Sequence, residues 1–184
     1  MSFSRALGLW PLAFCAALAL PVAAQKPIPD QPVMVLETAR GTIEIQLFAS
    51  EAPKSVAQIA ALVRRSFYRG QRFHRVTPTL AQVGDPRSRD MTYREHWGTS
   101  GSGTPINAFE VSKKRTHQRG AVGLAHSGNP MTADSQIYIM KAASPSLDGK
   151  HAIIGQVTSG MAAVDKIVET DVIKNAYLKG EGPK

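Results

Sequence analysis

Residues 33–48 constrain the fold more than any other stretch. Ile43, Ile45 and Leu47 alternate with Thr42, Glu44 and Gln46, the two-residue period of a strand with one buried face. Val33 to Thr38 precedes them across Arg40-Gly41, so the stretch reads as a hairpin. Pro53 then suits the first turn of a helix. Val56, Ile59, Ala60, Val63 and Phe67 follow at three- and four-residue spacing, a buried stripe, and Gly70 is a natural stop. Short strand candidates come next: Arg72 to Val76, Leu80 to Val83, Ala121 to Ala125, Gln136 to Met140 and Ile153 to Val157. A second helix starts near Gly160, with Met161, Val164, Ile167 and Val168 on one face, and Val172 to Lys174 forms a last strand. Many short strands with two separated helices predict a domain dominated by β-structure, a closed sheet plugged by helices. Pro86 to Pro105 shows no periodicity and is expected to be a functional or a mobile loop.

The chain begins with a different kind of segment. Arg5 supplies a positive start, Leu7 to Leu20 is an apolar run broken by Pro11, and Val22-Ala23-Ala24 offers small residues for a signal peptidase. The run is shorter than the roughly 20 residues a membrane span needs, so residues 1–24 are expected to be a signal peptide cleaved after Ala24, and the chain to be periplasmic. Cleavage removes Cys15, the only cysteine, and leaves a mature chain that forms no disulfide. Residues 25–32 form a Pro-rich flexible leader, 33–178 a single domain, and 179–184 a tail. The 22 Lys and Arg against 14 Asp and Glu give a formal +8, lowered by one when Arg5 leaves. Arg64-Arg65 and Lys113-Lys114-Arg115 are the only basic runs. The charge is therefore read as spread over solvated faces, with no nucleic-acid partner; an anionic surface is the charge-only alternative. The chain is expected to be a monomer with no stable membrane span.

Most enzyme signatures fail. Gly98-Thr99-Ser100-Gly101-Ser102-Gly103 lacks the Lys-Ser/Thr ending of a phosphate-binding loop. His74, His96, His117, His126 and His151 have no metal-ligand spacing. There is no Gly-x-Ser-x-Gly elbow, and cleavage leaves no thiol nucleophile. No metal or cofactor is implied.

Three separated motifs carry the signal. They are Phe73-His74-Arg75-Val76-Thr77-Pro78, then Asp134-Ser135-Gln136-Ile137-Tyr138-Ile139, then Leu147-Asp148-Gly149-Lys150-His151. In this order they resemble the signature of the cyclophilins, the peptidyl-prolyl cis-trans isomerases. The resemblance spans nearly the whole chain after the leader, and Ile154-Gly155-Gln156-Val157 to Gly160-Met161 extends it. It implies the family fold, a closed eight-stranded antiparallel β-barrel capped by two α-helices. It also implies an isomerase of the bacterial exported kind, acting on X-Pro bonds of unfolded or partly folded exported polypeptides.

That reaction suits a site without nucleophile or metal. Partial double-bond character in the C–N bond sets a barrier of roughly 18–20 kcal/mol. In the twisted amide the nitrogen lone pair has withdrawn from the carbonyl and accepts a hydrogen bond that the planar amide refuses. A fixed cationic donor beside the proline is then stronger against the transition state than the ground state. By resemblance, Arg75 is that donor, Gln82 holds the substrate carbonyl and orients the arginine, and His151 borders the proline pocket as a third catalytic position. Leu80, Ala125, His126, Gln136, Tyr138 and Leu147 would bind the peptide. The chain departs from the family pattern in places. Pro78-Thr79-Leu80-Ala81-Gln82-Val83-Gly84-Asp85 is one residue short, Leu80 replaces a phenylalanine, Tyr138 replaces another, and Ser146 replaces the tryptophan of human-type members. Because that tryptophan contacts cyclosporin in the family, weak inhibition by the drug is implied. The same departures motivate the alternative, a peptide-binding or chaperone module with little catalysis.

Overall fold

A computed structural model describes residue 27 and residues 29–183. The signal-peptide reading of residues 1–24 lies outside them. The hairpin forms where its alternation places it: β1 (Val33–Thr38) pairs antiparallel with β2 (Gly41–Leu47), with Thr38 opposite Gly41. Thr38 Oγ1 closes the turn by accepting from Arg40 N at 3.0 Å and donating to Gly41 O at 2.8 Å. Ile43, Ile45 and Leu47 point into the core while their neighbours are wetter.

α1 (Pro53–Arg64) buries Val56, Ile59, Ala60 and Val63 as its spacing requires. No side chain at its start caps it. Glu110, far along the chain, accepts from Lys54 N at 3.0 Å and Ser55 N at 2.8 Å. A carboxylate there satisfies two orphan amides and complements the helix dipole. The helix stops well before the expected Gly70. Ser66 takes a positive φ of 57°, and Phe67 N turns back to Leu62 O. Phe67 still packs on the core from outside the helix.

Six further strands complete one sheet: β3 (Arg75–Val76), β4 (Leu80–Val83), β5 (Ala121–Leu124), β6 (Ile137–Met140), β7 (Ile153–Ser159) and β8 (Ile173–Leu178). Their order is β3-β4-β6-β5-β7-β2-β1-β8, and each pairing is antiparallel. The expected closed barrel does not form. The sheet is an open half-barrel wrapping through 228°, with β3 and β8 as its edges. The physical reason is the length of β3, whose two residues leave no ladder to offer β8. The strand expected over Arg72 to Val76 is only Arg75–Val76. Ahead of it, residues 70–73 meet the approach to β8 through Gly70 N to Ile173 O and Phe73 N to Asp171 O, at 2.8 and 2.9 Å, with one isolated bridge between Arg72 and Val172. β8 itself runs beyond the expected Lys174.

α2 (Met161–Lys166) is short, and its chain turns extended at Ile167. Val168, expected on its buried face, lies outside it and is half exposed. The concave side of the sheet holds the main core, from Met34 and Leu36 through α1 to Ile137, Ile139 and Ile173. A second, smaller cluster lies on the convex side, where Leu80, Tyr138, Met140 and Ile153 pack with Leu147 and Ala125. That outer cluster is the floor of the site. Among the described residues, no helix is long and apolar enough to cross a membrane.

Candidate active site

Pairing of three strands builds the site. β3 sets Arg75 opposite Gln82 on β4, and β4 sets Gln82 opposite Tyr138 on β6. Side chains opposite one another on one face of a sheet meet. Arg75 Nη1 donates to Gln82 Oε1 at 3.3 Å, and Gln82 Nε2 donates to Gln136 Oε1 at 2.8 Å. Gln136 Nε2 then donates to the carbonyls of Gly98 and Ser100 at 2.9 and 2.8 Å. The chain of bonds fixes the direction of each amide: Gln82 spends its oxygen on the guanidinium and its nitrogen on the next glutamine. Gln82 is nearly buried, while Arg75 is exposed and enters no ion pair among the described residues. Its charge therefore faces the groove uncompensated. A guanidinium with one edge held by Gln82 is aimed, with N–H donors left for a ligand.

An open groove of about 400 Å³ runs over this network. One end is apolar, walled by Leu80, Tyr138 and Leu147, with His151 at its border. The His151 ring meets the Tyr138 ring edge-on at 5.9 Å and stacks on the His126 ring at 4.1 Å. His151 Nδ1 donates to Leu124 O at 3.2 Å. Burial holds its titration below the ordinary histidine range, against the pull of that carbonyl. The other end is polar and is formed by residues 98–101 with Asp134 and Ser127.

This arrangement offers an apolar slot, an aimed cation in the same groove, and amides alongside. Comparison with known proteins agrees with it. The model of the family described as cyclophilin type peptidyl-prolyl cis-trans isomerase/CLD matches residues 33–180. The chain belongs to the cyclophilins. A probable peptidyl-prolyl cis-trans isomerase of Brucella suis is 39% identical over 187 residues, covering 97% of this chain and 92% of that protein. Peptidyl-prolyl cis-trans isomerase B of Bacillus subtilis is 34% identical over 139 residues, covering 75% and 91%. A crystal structure of a Cryptosporidium parvum cyclophilin superposes with a TM-score of 0.72 at 20% identity, covering 83% of this chain and 99% of that one. The same parasite's protein crystallised in the presence of the dipeptide Ala-Pro gives a TM-score of 0.67 at 23% identity. The protein is thus an enzyme of the peptidyl-prolyl cis-trans isomerase class, whose substrates are proline-containing polypeptides.

All nine residues singled out in this cyclophilin's sequence line the one groove: Arg75, Leu80, Gln82, Ala125, His126, Gln136, Tyr138, Leu147 and His151. Ala125 lines it, and its N donates to Gln136 O at 2.9 Å, tying the end of β5 to that glutamine. His126 is tied to Lys150 O at 3.0 Å and stacked on His151, so it supports the rim. Sequence reasoning missed what holds the polar end. Asp85 is fully buried and accepts from Gly98 N at 2.7 Å, Ser100 N at 3.1 Å and Arg87 N at 2.8 Å. Asp134 accepts from Gly103 N at 2.9 Å and from Ser102 Oγ. The available signal was Asp85 directly before Pro86, a cap ahead of a helical turn. Gly84, between β4 and that aspartate, has φ of 117°, and a Cβ there would sit 2.2 Å from Ser135 O.

Proposed function

We propose that the enzyme accelerates rotation about X-Pro bonds in exported proteins, with Arg75 as the electrophilic donor to the prolyl nitrogen. In this reading the proline ring enters the slot between Leu80, Tyr138 and Leu147, and His151 closes its border. As the amide twists, its nitrogen pyramidalises and gains basicity, and a free N–H of Arg75 donates to it. Gln82 keeps the guanidinium in place and offers its second Nε2 hydrogen to a flanking peptide carbonyl, while Gln136 braces Gln82 against the 98–100 segment. The groove is open, so a chain in mid-fold passes through it, and no proton changes hands. The observation that carries the reading is the bond from Arg75 to Gln82 beside an apolar slot.

Arg75→Lys is expected to keep the charge and lose the planar fork, lowering kcat for an Ala-Pro peptide about tenfold or more with KM little changed. An unchanged kcat would remove Arg75 from the mechanism. The exported assignment rests on Arg5, the apolar run and Val22-Ala23-Ala24. The expected mature chain begins at Gln25 in the periplasmic fraction, which N-terminal sequencing of that fraction reads. A full-length chain confined to the cytoplasm would overturn it.

A further inference from the structure

Behind the apolar slot lies a buried group that the reaction as described does not use. His117 sits on the approach to β5, is 1% exposed, and is absent from the groove lining. Its backbone N and its Nδ1 both lie 2.7 Å from Asp148 Oδ1. A carboxylate accepts only, so Nδ1 carries a proton, and in the neutral ring Nε2 is a lone pair. That lone pair faces Tyr138 Oη at 2.8 Å. The phenol must then donate to the imidazole, away from the groove. The tyrosine is 3% exposed, and burial together with the Asp148 charge raises its titration, so it stays a neutral donor.

The rest of the ring is equally constrained. Tyr138 pairs with Gly123 on β5 and lies across it: a Cβ at Gly123 would come within 2.4 Å of both Cζ and Oη. The His117 carbonyl also accepts from Ser144 N at 2.8 Å, at the head of the turn that carries Leu147 and Asp148. One buried residue therefore ties two walls of the slot, the ring on β6 and the turn with Leu147, to the entry of β5.

We propose that His117, braced by Asp148, is a positioning residue for isomerisation. It holds the Tyr138 ring as the floor of the proline slot and turns the hydroxyl out of it. This rests on the reading above that the proline ring binds at Tyr138. A tyrosine floor without the imidazole would leave a buried hydroxyl unsatisfied, and that group would seek water through the slot.

The test is steady-state exchange of an Ala-Pro peptide on variants first shown folded by near-UV circular dichroism. His117→Leu is expected to raise KM about fivefold or more with kcat within about twofold, since the floor is misplaced while Arg75 is untouched. His117→Leu combined with Tyr138→Phe removes both partners and is expected to return KM to within about twofold of the parent. A structural role alone would not be rescued in KM by removing a second group. If His117→Leu fails to fold, Asp148→Ala carries the test, with a KM rise in the same direction expected. Tyr138→Ala separates the two readings. If it leaves KM unchanged, the slot itself is misassigned and the inference falls with it. If it raises KM while His117→Leu, or Asp148→Ala in its place, does not, only the positioning role is overturned; failure of the double variant to restore KM overturns it as well.

Discussion

His74 and Arg75 are neighbours with opposite fates. Arg75 points out to the groove, while His74 is 8% exposed and both its ring nitrogens are buried. Burial holds His74 below the ordinary histidine value of 6.5, and does the same to His151. In the unfolded chain both take up protons as pH falls through about 6.5, while the folded state takes them up only at lower pH. The unfolded state therefore binds more protons in that window. Stability is complete above it and is lost as pH falls below about 6.5 toward the lowered folded values. Asp148 and Glu51, also held below their usual range, act with the same sign but nearer pH 4. A lower urea midpoint is expected at pH 5.5 than at pH 7, and His74→Phe is expected to shrink that difference. Equal midpoints in the parent would contradict this. Arg75, Gln82, Tyr138 and His151 were legible in the sequence because motifs in order mark them. His117 and Asp148 were not, because their link exists only once β5, β6 and the 144–147 turn meet.

The strands that carry the site are the ones whose pattern says least. In β4 and β6 every residue is buried, because the core covers one face and the groove floor the other. Alternation of apolar and polar residues reports a wet face, so a strand covered on both sides hides its period. The hairpin β1–β2 keeps wetter residues on alternate positions of β2 and was read correctly to within a residue. The aperiodic stretch after Gly84 turned out to be ordered by side chains: Asp85 and Asp90 cap two short 3-10 turns, 86–89 and 91–96. Asp85 also holds the segment that Gln136 grips from the other side. Asp85→Ala leaves those amides orphaned and is expected to cost about 1–3 kcal/mol of stability. It is also expected to speed hydrogen exchange at Gly98 and Ser100 and to raise KM more than it lowers kcat. Unchanged exchange at those two amides would mean that the loop is held by other means.

At the scale of the molecule, the core of the half-barrel and the polar network of the groove separate cleanly. The concave core, with α1 across it, supplies rigidity, and the convex faces of β3, β4 and β6 present the groove. Eight strands and two helices were legible through resemblance, but closure was not. Closure depends on whether the edge strands are long enough to pair, and a two-residue β3 cannot be told from a loop by its sequence. The opening costs the site nothing, since Arg75 is fixed by β4 and not by β8. The central claim is that this fold presents one aimed arginine to a prolyl nitrogen. The direct measurement is NMR exchange between cis and trans forms of an Ala-Pro peptide with catalytic amounts of the protein, beside Arg75→Ala shown to be folded. Fast exchange that falls about a hundredfold or more in the variant is the expected result, the scale of losing one preorganised donor. Exchange equally fast in both would show that the arginine is a bystander and contradict the account.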